Sequence, residues 1–98
     1  MIASFGDRAT ADLYHGVHTR RVRSFPSAIA TAAVRKLDLL NGAHALLDLR
    51  SPPGNRLEAL RGELRGFHSI RVNDQWRIVF RWSEGAAHAV RLVDYHKG

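Results

Sequence analysis

Several features that would place this chain in a protein class at once are missing from it. It has no cysteine, which excludes disulfides and any metal site built on thiolates. No apolar run approaches the length of a membrane span, and the N-terminus lacks the basic-then-apolar layout of a secretory signal. No glycine-rich loop ends in the Gly-Lys-Ser/Thr of a phosphate-binding P-loop. These absences predict a cytoplasmic protein with no membrane partner and no cofactor.

The histidines do not have the spacing of a metal site. There are six, but none forms the helical i, i+4 pair that binds zinc, and no cysteine is available to assist them. No serine sits in a nucleophile elbow either. The sequence therefore predicts no structural metal and gives no sign of a serine hydrolase.

Lysine is scarce as well, because arginine supplies 13 of the 15 basic residues. The net charge is +6 and the pI about 11.1. The planar guanidinium matches phosphate oxygens and stacks on bases, so this balance favours a nucleic acid or another acidic partner. A GC-rich genome also favours arginine over lysine. The net charge is therefore more specific evidence for an acidic partner than the ratio of arginine to lysine.

The first half of the chain has the pattern of a helical layer. Apolar residues repeat at helical spacing in residues 8–15 and 26–40, and the second helix is predicted to end at residues 41–42. Residues 43–49 are predicted to form another helical stretch. Residues 17–24 show no period and are predicted to be an exposed basic connection, which is either an RNA contact or a solvated loop.

The second half has the pattern of a sheet. Residues 51–55 (SPPGN) cannot be regular structure and separate the two halves. Residues 1–5 and 57–60 are predicted to be strands, and residues 67–96 to be three more. The whole, residues 1–98, is predicted to be one α+β domain. It has a mostly antiparallel sheet of four to five strands, with two to three helices packed on one face.

In the last third of the chain, apolar residues alternate with arginines, as in strands with one buried and one polar face. The buried face is predicted to carry Trp76, Ile78, Phe80 and Trp82. A turn at residues 73–75 would pair Arg71 with Arg77. A three-residue loop at residues 83–85 would pair Arg77 with Arg91. The prediction is a row of arginines across three strands.

A row of this kind predicts a polyanionic ligand, because like charges directly opposite one another are unfavourable. The alternative is a solvated sheet face on which arginine stems cover apolar surface while their heads stay in water. The residue pattern alone favours neither.

The chain's last predicted strand ends in Asp94, Tyr95 and His96, beside the arginine row. His96 titrates near neutrality and could transfer protons, Tyr95 could stack on a base, and Asp94 could orient the histidine or act as a base. Attack of an RNA 2′-hydroxyl on its own phosphodiester needs a base, an acid and cations, and these residues supply them without a metal. The alternative, which the pattern alone favours, is a polar strand end with no chemistry.

Three segments resemble the HigB branch of the RelE/ParE toxin superfamily of type II toxin–antitoxin systems. They are PPGNRLEAL at residues 52–60, SIRVNDQWRI at residues 69–78, and the closing DYH at residues 94–96. Residues 1–5 also resemble the family's first strand. The resemblance covers essentially the whole chain and is specific in its C-terminal half. It implies a RelE-like fold and an endoribonuclease that cuts mRNA in the ribosomal A site.

The resemblance also implies roles for particular residues. Catalysis would fall to Asp94, Tyr95 and His96, with Arg77 binding the phosphate and Arg71 at a neighbouring basic position. Further candidates for contact with phosphate or RNA are Arg91, Arg61 and Arg65.

Glu58 departs from the family pattern. Some HigB toxins carry a further catalytic histidine at this position, and no histidine lies near it here. Glu58 could serve as a base instead, or the role could fall to His96 and Asp94.

The resemblance implies partners and leaves an alternative activity open. Expected partners are the ribosome, mRNA and a HigA-like helix-turn-helix antitoxin, in a toxin–antitoxin hetero-oligomer. The ParE branch of the superfamily poisons DNA gyrase without cutting RNA, and a basic nucleic-acid-binding module is also open. The Asp94-Tyr95-His96 ending argues for the HigB branch.

Overall fold

A computed structural model describes residues 1–95 and shows three α-helices beside a four-stranded sheet. The helices are α1 (Arg8–His15), α2 (Arg20–Arg23) and α3 (Ser27–Gly42). The strands are β1 (Glu58–Ala59), β2 (His68–Arg71), β3 (Trp76–Ser83) and β4 (Ala86–Asp94). They lie in the order β1-β2-β3-β4, and each neighbouring pair is antiparallel. The predicted α+β class is confirmed. Within residues 1–95, every helix is too short or too polar to cross a bilayer.

The core lies between the helices and one face of the sheet. α3 contributes Leu37 and Leu40, and the sheet contributes Ile70, Ile78 and Phe80, all fully buried. Trp76 and Trp82 pack against this cluster, as their spacing predicts. Each such side chain contributes about 1.5–3 kcal/mol by leaving water, so the packing of the helices on the sheet stabilises the fold.

The opposite face of the sheet carries the arginines, because successive side chains of a strand point to opposite sides. We call it the arginine face, and its members on β2, β3 and β4 include Arg71, Arg77, Val79, Arg81 and Arg91. Val79 is nevertheless fully buried. The side chains of the arginine face therefore shield Val79 from water, so this face is not simply a solvated surface.

Residues 17–24 are more regular than their sequence indicates. Thr19 caps the short helix α2 by accepting a hydrogen bond from the backbone N–H of Val22, at 3.4 Å. Arg21 pairs with Asp12 of α1 at 3.3 Å. The arginines of this segment are exposed, as predicted, and a capping side chain and an ion pair from α1 hold part of it as a helix.

The predicted helical stretch at residues 43–49 is only a 3₁₀ turn, Leu46–Arg50. Asp48 accepts hydrogen bonds from the backbone N–H groups of His44 and Ala45, at 2.9 and 3.0 Å. These two hydrogen bonds lower the pKa of Asp48. A local side-chain cap of this kind competes with a continuing helix, which explains the shorter element.

The N-terminal residues run along the outer edge of β4 in the parallel direction. Two isolated bridges, Ile2 to Ala87 and Phe5 to Val90, replace the regular strand predicted at residues 1–5. Ala89, with a φ of 53°, lies between the two bridging positions of β4 and interrupts the ladder there. The strand predicted at residues 1–5 is therefore reduced to two isolated bridges.

The two hairpins differ in how well their registers follow from the sequence. The turn after β2 pairs Arg71 with Arg77, as predicted. The turn after β3 has two residues rather than three, since Ser83 pairs with Ala86. A register shift between Val79 and Arg81 then places Arg91 opposite Val79. The predicted pairing of Arg77 with Arg91 was wrong.

Candidate phosphate-binding site on the arginine face

Arg71 and Arg77 lie directly opposite each other on the arginine face. Two like charges at such a pair repel, so each needs an opposite charge nearby. Arg77 Nη1 pairs with Glu58 Oε1 at 3.1 Å, and Arg71 Nη2 pairs with Asp74 Oδ1. Within residues 1–95, each arginine is therefore held by one carboxylate.

Arg77 is the most enclosed of these cations. Its side chain is 15% exposed, and its guanidinium carbon lies 5.3 Å from the centre of the Tyr95 ring. Its Nε is buried and has no hydrogen-bond partner among residues 1–95. A buried donor left without an acceptor costs about 1–3 kcal/mol, so Arg77 has hydrogen-bonding capacity that residues 1–95 do not use. The alternative of arginines splayed into water does not describe Arg77.

Glu58 reaches Arg77 because the short strand β1 pairs with β2. Glu58 lies opposite Ser69, so its side chain extends over the arginine face. Its side chain is 52% exposed, and its Oε1 accepts a hydrogen bond from Arg77 Nη1. A carboxylate in this position can act as a counter-ion, and it can also accept a proton from a group bound beside Arg77.

Asp94 and Tyr95 lie on different faces of the sheet. Asp94 pairs with Trp76, which packs on the core side, and its Oδ2 accepts a hydrogen bond from Gln75 Nε2 at 3.1 Å. Tyr95 follows the strand and lies against Arg77, with its backbone N–H bonded to Gln75 O at 2.6 Å. The structure thus brings Tyr95 to the arginine face and holds Asp94 at the end of the helix-covered face. His96 lies outside the described residues.

The remaining predicted RNA contacts are not part of the Arg77 cluster. Arg91 shares the arginine face but lies two positions along β4 from Val93, the residue opposite Arg77. Its side chain is next to Gly6. Arg61 and Arg65 are exposed and flank the 3₁₀ turn Gly62–Leu64 between β1 and β2. In the chain they follow Glu58 and precede β2.

The loop that follows β2 explains why the first hairpin is well defined. Asn73 Oδ1 accepts hydrogen bonds from the backbone N–H groups of Gln75 and Trp76, both at 2.8 Å. This side chain closes the turn, as asparagine commonly does. The closed turn sets the position of Gln75 and, through it, of Asp94 and Tyr95.

Sequence reasoning missed Lys36, which donates a hydrogen bond from Nζ to Asn55 Oδ1 at 2.5 Å. Burial lowers the pKa of Lys36, and the positive charge of Arg71 lowers it further. The sequence does not predict this contact. Lys36 is a single lysine among many arginines, and it lies in a segment that already reads as an ordinary amphipathic helix.

The described residues place hydrogen-bond donors for an anion beside a carboxylate and an aromatic ring. Arg77 and Arg71 supply donors for anionic oxygens, Glu58 supplies a carboxylate, and the Tyr95 ring supplies a flat surface. Residues 1–95 contain no cluster of three or more histidine or carboxylate side chains able to hold a metal ion.

Comparisons with known proteins agree on one family and one fold. Residues 3–96 match the family model for the RelE-like toxin of type II toxin–antitoxin system HigB. The chain is 45% identical to Toxin HigB-1 of Vibrio cholerae over 97 residues, covering 99% of each chain. It is 39% identical to Endoribonuclease HigB of Proteus vulgaris over 41 residues, 42% of this chain and 45% of that one.

A solved structure shares the fold at low sequence identity. The YoeB-YefM complex from Staphylococcus aureus contains a chain that aligns with a TM-score of 0.60 at 14% identity, covering 98% of both chains. The likeness therefore shows that the arrangement of helices and sheet described above is one already known among proteins.

Proposed function

Since this chain belongs to the RelE-like HigB toxins of type II toxin–antitoxin systems, we propose that it is a ribosome-dependent, metal-independent endoribonuclease that cuts mRNA. The observation that carries the proposal is the environment of Arg77. This arginine is mostly enclosed, bonded to Glu58, stacked on Tyr95, and left with one donor that no described residue satisfies. The name of the Proteus vulgaris relative, an endoribonuclease, supports the same activity.

In the proposed reaction, the 2′-hydroxyl of the RNA attacks the adjacent phosphorus. The new bond joins the 2′-oxygen to phosphorus, and the bond from phosphorus to the 5′-oxygen breaks. The products are a 2′,3′-cyclic phosphate and a 5′-hydroxyl. The attacking hydroxyl loses a proton to a base, and the departing 5′-oxygen gains one from an acid.

Arg77 and Arg71 would stabilise the charge that develops on the phosphorane oxygens. Preorganised donors of this kind are the largest single contribution in many enzymes, because they need no reorganisation when the charge appears. Glu58 is the described carboxylate nearest to Arg77 and is our candidate for the base. Tyr95 would hold the nucleotide against Arg77 by stacking.

His96 is proposed as the acid and Asp94 as its positioning partner. Asp94 bonds to Gln75, so it is anchored at the end of the helix-covered face, one residue before Tyr95. His96 follows Tyr95 in the chain and would supply the proton to the leaving 5′-oxygen near neutral pH.

The antitoxin partner follows from the type II family, and we propose that it is a HigA-like helix-turn-helix protein. A chain with a net charge of +6 favours an acidic surface on that partner. The exposed Arg61, Arg65 and the arginines of α2 are proposed to contact ribosomal RNA, which would explain why the activity needs the ribosome.

The test is cleavage of mRNA on programmed ribosomes by the wild-type protein and by His96→Ala. We expect cut mRNA with 5′-hydroxyl ends from the wild type and strongly reduced cutting by the variant. Full cutting by His96→Ala would remove the histidine from the mechanism. No cutting by the wild type, combined with gyrase inhibition, would replace the endoribonuclease by the ParE-like activity.

Metal independence has its own test. A sulfur placed on the scissile phosphate weakens a Mg²⁺ contact, and thiophilic Mn²⁺ or Cd²⁺ then restores the rate. We expect any loss of rate with the phosphorothioate mRNA to persist when these ions are added. Restored cleavage would show that a metal ion contacts the phosphate.

A further inference from the structure

Ser69, on β2, is a fully buried residue of the arginine face. It lies opposite Glu58 of β1 on one side and opposite Val79 of β3 on the other. Its Oγ is enclosed and has no hydrogen-bond partner among residues 1–95. A hydroxyl buried in this way is unfavourable, and most buried polar side chains in proteins do have a partner. The hydroxyl therefore indicates a partner that it meets in another state of the site.

The ion pair between Glu58 and Arg77 crosses β2 next to Ser69. Glu58 belongs to β1 and Arg77 to β3, and β2 lies between these strands. Neighbouring strands are about 4.8 Å apart, so the two side chains extend across about 10 Å of sheet in order to meet. On the arginine face, β2 presents Ser69 opposite Glu58 and Arg71 opposite Arg77. The side chains of the ion pair therefore cover Ser69, which explains why its hydroxyl is enclosed.

The Ser69 hydroxyl and the Glu58 carboxylate lie within reach of each other. Side chains directly opposite on antiparallel strands have their Cβ atoms about 4.5–5.5 Å apart, a gap that a rotation of the glutamate side chain closes. An ionised carboxylate accepts several hydrogen bonds, and a serine hydroxyl donates one. Ser69 is thus a donor on the neighbouring strand, opposite the carboxylate that bonds to Arg77.

Binding of RNA changes the partners of Glu58. In the proposed reaction the scissile phosphate takes up the Arg77 guanidinium, so Glu58 loses its bond of 3.1 Å. The Glu58 side chain is 52% exposed, and without another donor it would turn into the solvent. A carboxylate that turns away is no longer positioned to accept the proton of the 2′-hydroxyl.

We propose that Ser69 is a positioning residue, which donates a hydrogen bond to Glu58 when the phosphate displaces this carboxylate from Arg77. This inference rests on the proposed function, in which Glu58 is the base. Ser69 keeps its own proton and does not contact the RNA. One oxygen of Glu58 accepts the serine hydroxyl, and the other takes the proton of the attacking 2′-hydroxyl.

A space-filling role for Ser69 is the competing explanation, because the side chains of the ion pair leave room for a small residue only. In the free protein the hydroxyl has no partner among residues 1–95, so Ser69→Ala breaks no hydrogen bond and should not lower the melting temperature. If filling space were its only role, cleavage should not change either, since alanine is also small. The positioning role predicts a protein that is at least as stable but cleaves more slowly.

The first experiment measures single-turnover cleavage on programmed ribosomes, binding of a short RNA whose 2′-O-methyl groups block cleavage, and thermal unfolding. We expect Ser69→Ala to slow cleavage about tenfold, the effect of one hydrogen bond to a charged group, with unchanged affinity. Ser69→Thr keeps a hydroxyl and should restore most of the rate. Ser83→Ala is the matched control, because Ser83 is an exposed serine of β3, and it should match the wild type.

The second experiment uses solution NMR and needs no RNA. Arg77→Met removes the guanidinium and so releases Glu58, while methionine offers no donor in its place. We expect the added change Ser69→Ala to move the ¹³C carboxyl signal of Glu58 in Arg77→Met, and to leave it in place where Arg77 is present. Glu63 and Glu84 are the other glutamates of the chain, and both are exposed, so their signals serve as internal references.

A Glu58 signal that is the same in Arg77→Met with and without Ser69→Ala would overturn the proposal. Measurable but equal cleavage rates for Ser69→Ala and the wild type would do the same, and a lower melting temperature with weakened RNA binding would make Ser69 a structural residue. Failure of the proposed function looks different. A wild type that never cleaves ribosomal mRNA would remove the endoribonuclease, while the NMR result would still show whether Ser69 takes up the released carboxylate.

Discussion

At the scale of single residues, the same contact that holds Arg77 ready also competes with its substrate. Glu58 occupies one nitrogen of the guanidinium at 3.1 Å, and an RNA phosphate would have to replace or share that contact. The carboxylate released in this way would lie beside the bound phosphate. The same carboxylate thus holds Arg77 in place and is the candidate base.

Glu58→Gln should change affinity and rate in opposite directions. Removal of the competing anion should raise affinity for non-cleavable RNA several-fold, while loss of the base should reduce cleavage about 10²–10⁴-fold. Binding titrations and single-turnover cleavage measure the two effects. Glu63→Gln is the control, because Glu63 is an exposed carboxylate in the neighbouring turn.

A Glu58→Gln protein with unchanged affinity would show that the ion pair does not compete with RNA. Unchanged cleavage would assign the base to another residue, with His96 and Asp94 as the remaining candidates.

Tyr95 should act through its ring rather than its hydroxyl. The guanidinium of Arg77 lies over the ring at 5.3 Å, a cation–π contact that phenylalanine preserves. We therefore expect Tyr95→Phe to cleave at close to the wild-type rate and Tyr95→Leu to lose at least tenfold. Equal losses in the two variants, measured on programmed ribosomes, would instead assign a role to the hydroxyl.

At the scale of elements, the sequence predicted the registers unequally, and the reasons are physical. The first hairpin was predicted correctly because Asn73 closes its turn by local hydrogen bonds. The second was wrong because Glu84 adopts a left-handed φ of 52° in a two-residue turn. Ala89 also takes a left-handed φ in the irregular part of β4, and alanine gives no signal of this.

The placement of the predicted site residues follows the same division. Arg71 and Arg77 were paired correctly because their register is set by the local turn. The separation of Asp94 from Tyr95 was foreseeable, since neighbouring strand residues point to opposite faces. The contact between Lys36 and Asn55 was not, because it joins α3 to a turn 19 residues later in the chain.

Gly6 should be needed for the N-terminal segment to pack along β4. A Cβ at this position would lie 2.5 Å from Arg91 Cγ and 2.8 Å from the carbonyl oxygen of Ala89. Backbone cannot yield as a flexible side chain does, so Gly6→Ala should destabilise the protein by about 1–3 kcal/mol. In a domain of this size that lowers the melting temperature by about 4–8 °C per kcal/mol.

Gly42→Ala is the matched control for that substitution. Gly42 ends α3 and has open space where a Cβ would be added, so alanine should be neutral or stabilising there. Equal melting temperatures for Gly6→Ala and the wild type, in a calorimetric scan, would contradict the close packing of Gly6 against β4.

At the scale of the whole molecule, one face of the sheet supplies stability and the other is available for chemistry. The helices cover the apolar face, and the arginine face keeps its cations in place with carboxylates from β1 and the turn after β2. Substitution of Arg71 or Arg77, the two arginines that these carboxylates hold, should therefore reduce activity with little effect on folding. A folded variant without activity would then need no antitoxin to neutralise it.

This separation predicts the behaviour of the chain in cells. Expression of the wild type without its partner should arrest growth, whereas Arg77→Gln should be tolerated and should accumulate as folded protein. Growth curves after induction, with circular dichroism of the purified variant, test this. Growth arrest by a folded Arg77→Gln protein would show that toxicity does not depend on the phosphate site.

The most direct measurement is the single-turnover rate of mRNA cleavage on programmed ribosomes for three proteins: wild type, Arg77→Gln and Arg81→Gln. Arg81 is on the same face but is exposed and rests on Phe67, at 4.7 Å from the ring centre, so it controls for charge. Loss of one preorganised donor should slow Arg77→Gln about 10²–10³-fold, with Arg81→Gln close to wild type. Equal rates for Arg77→Gln and the wild type would contradict the claim that Arg77 binds the scissile phosphate.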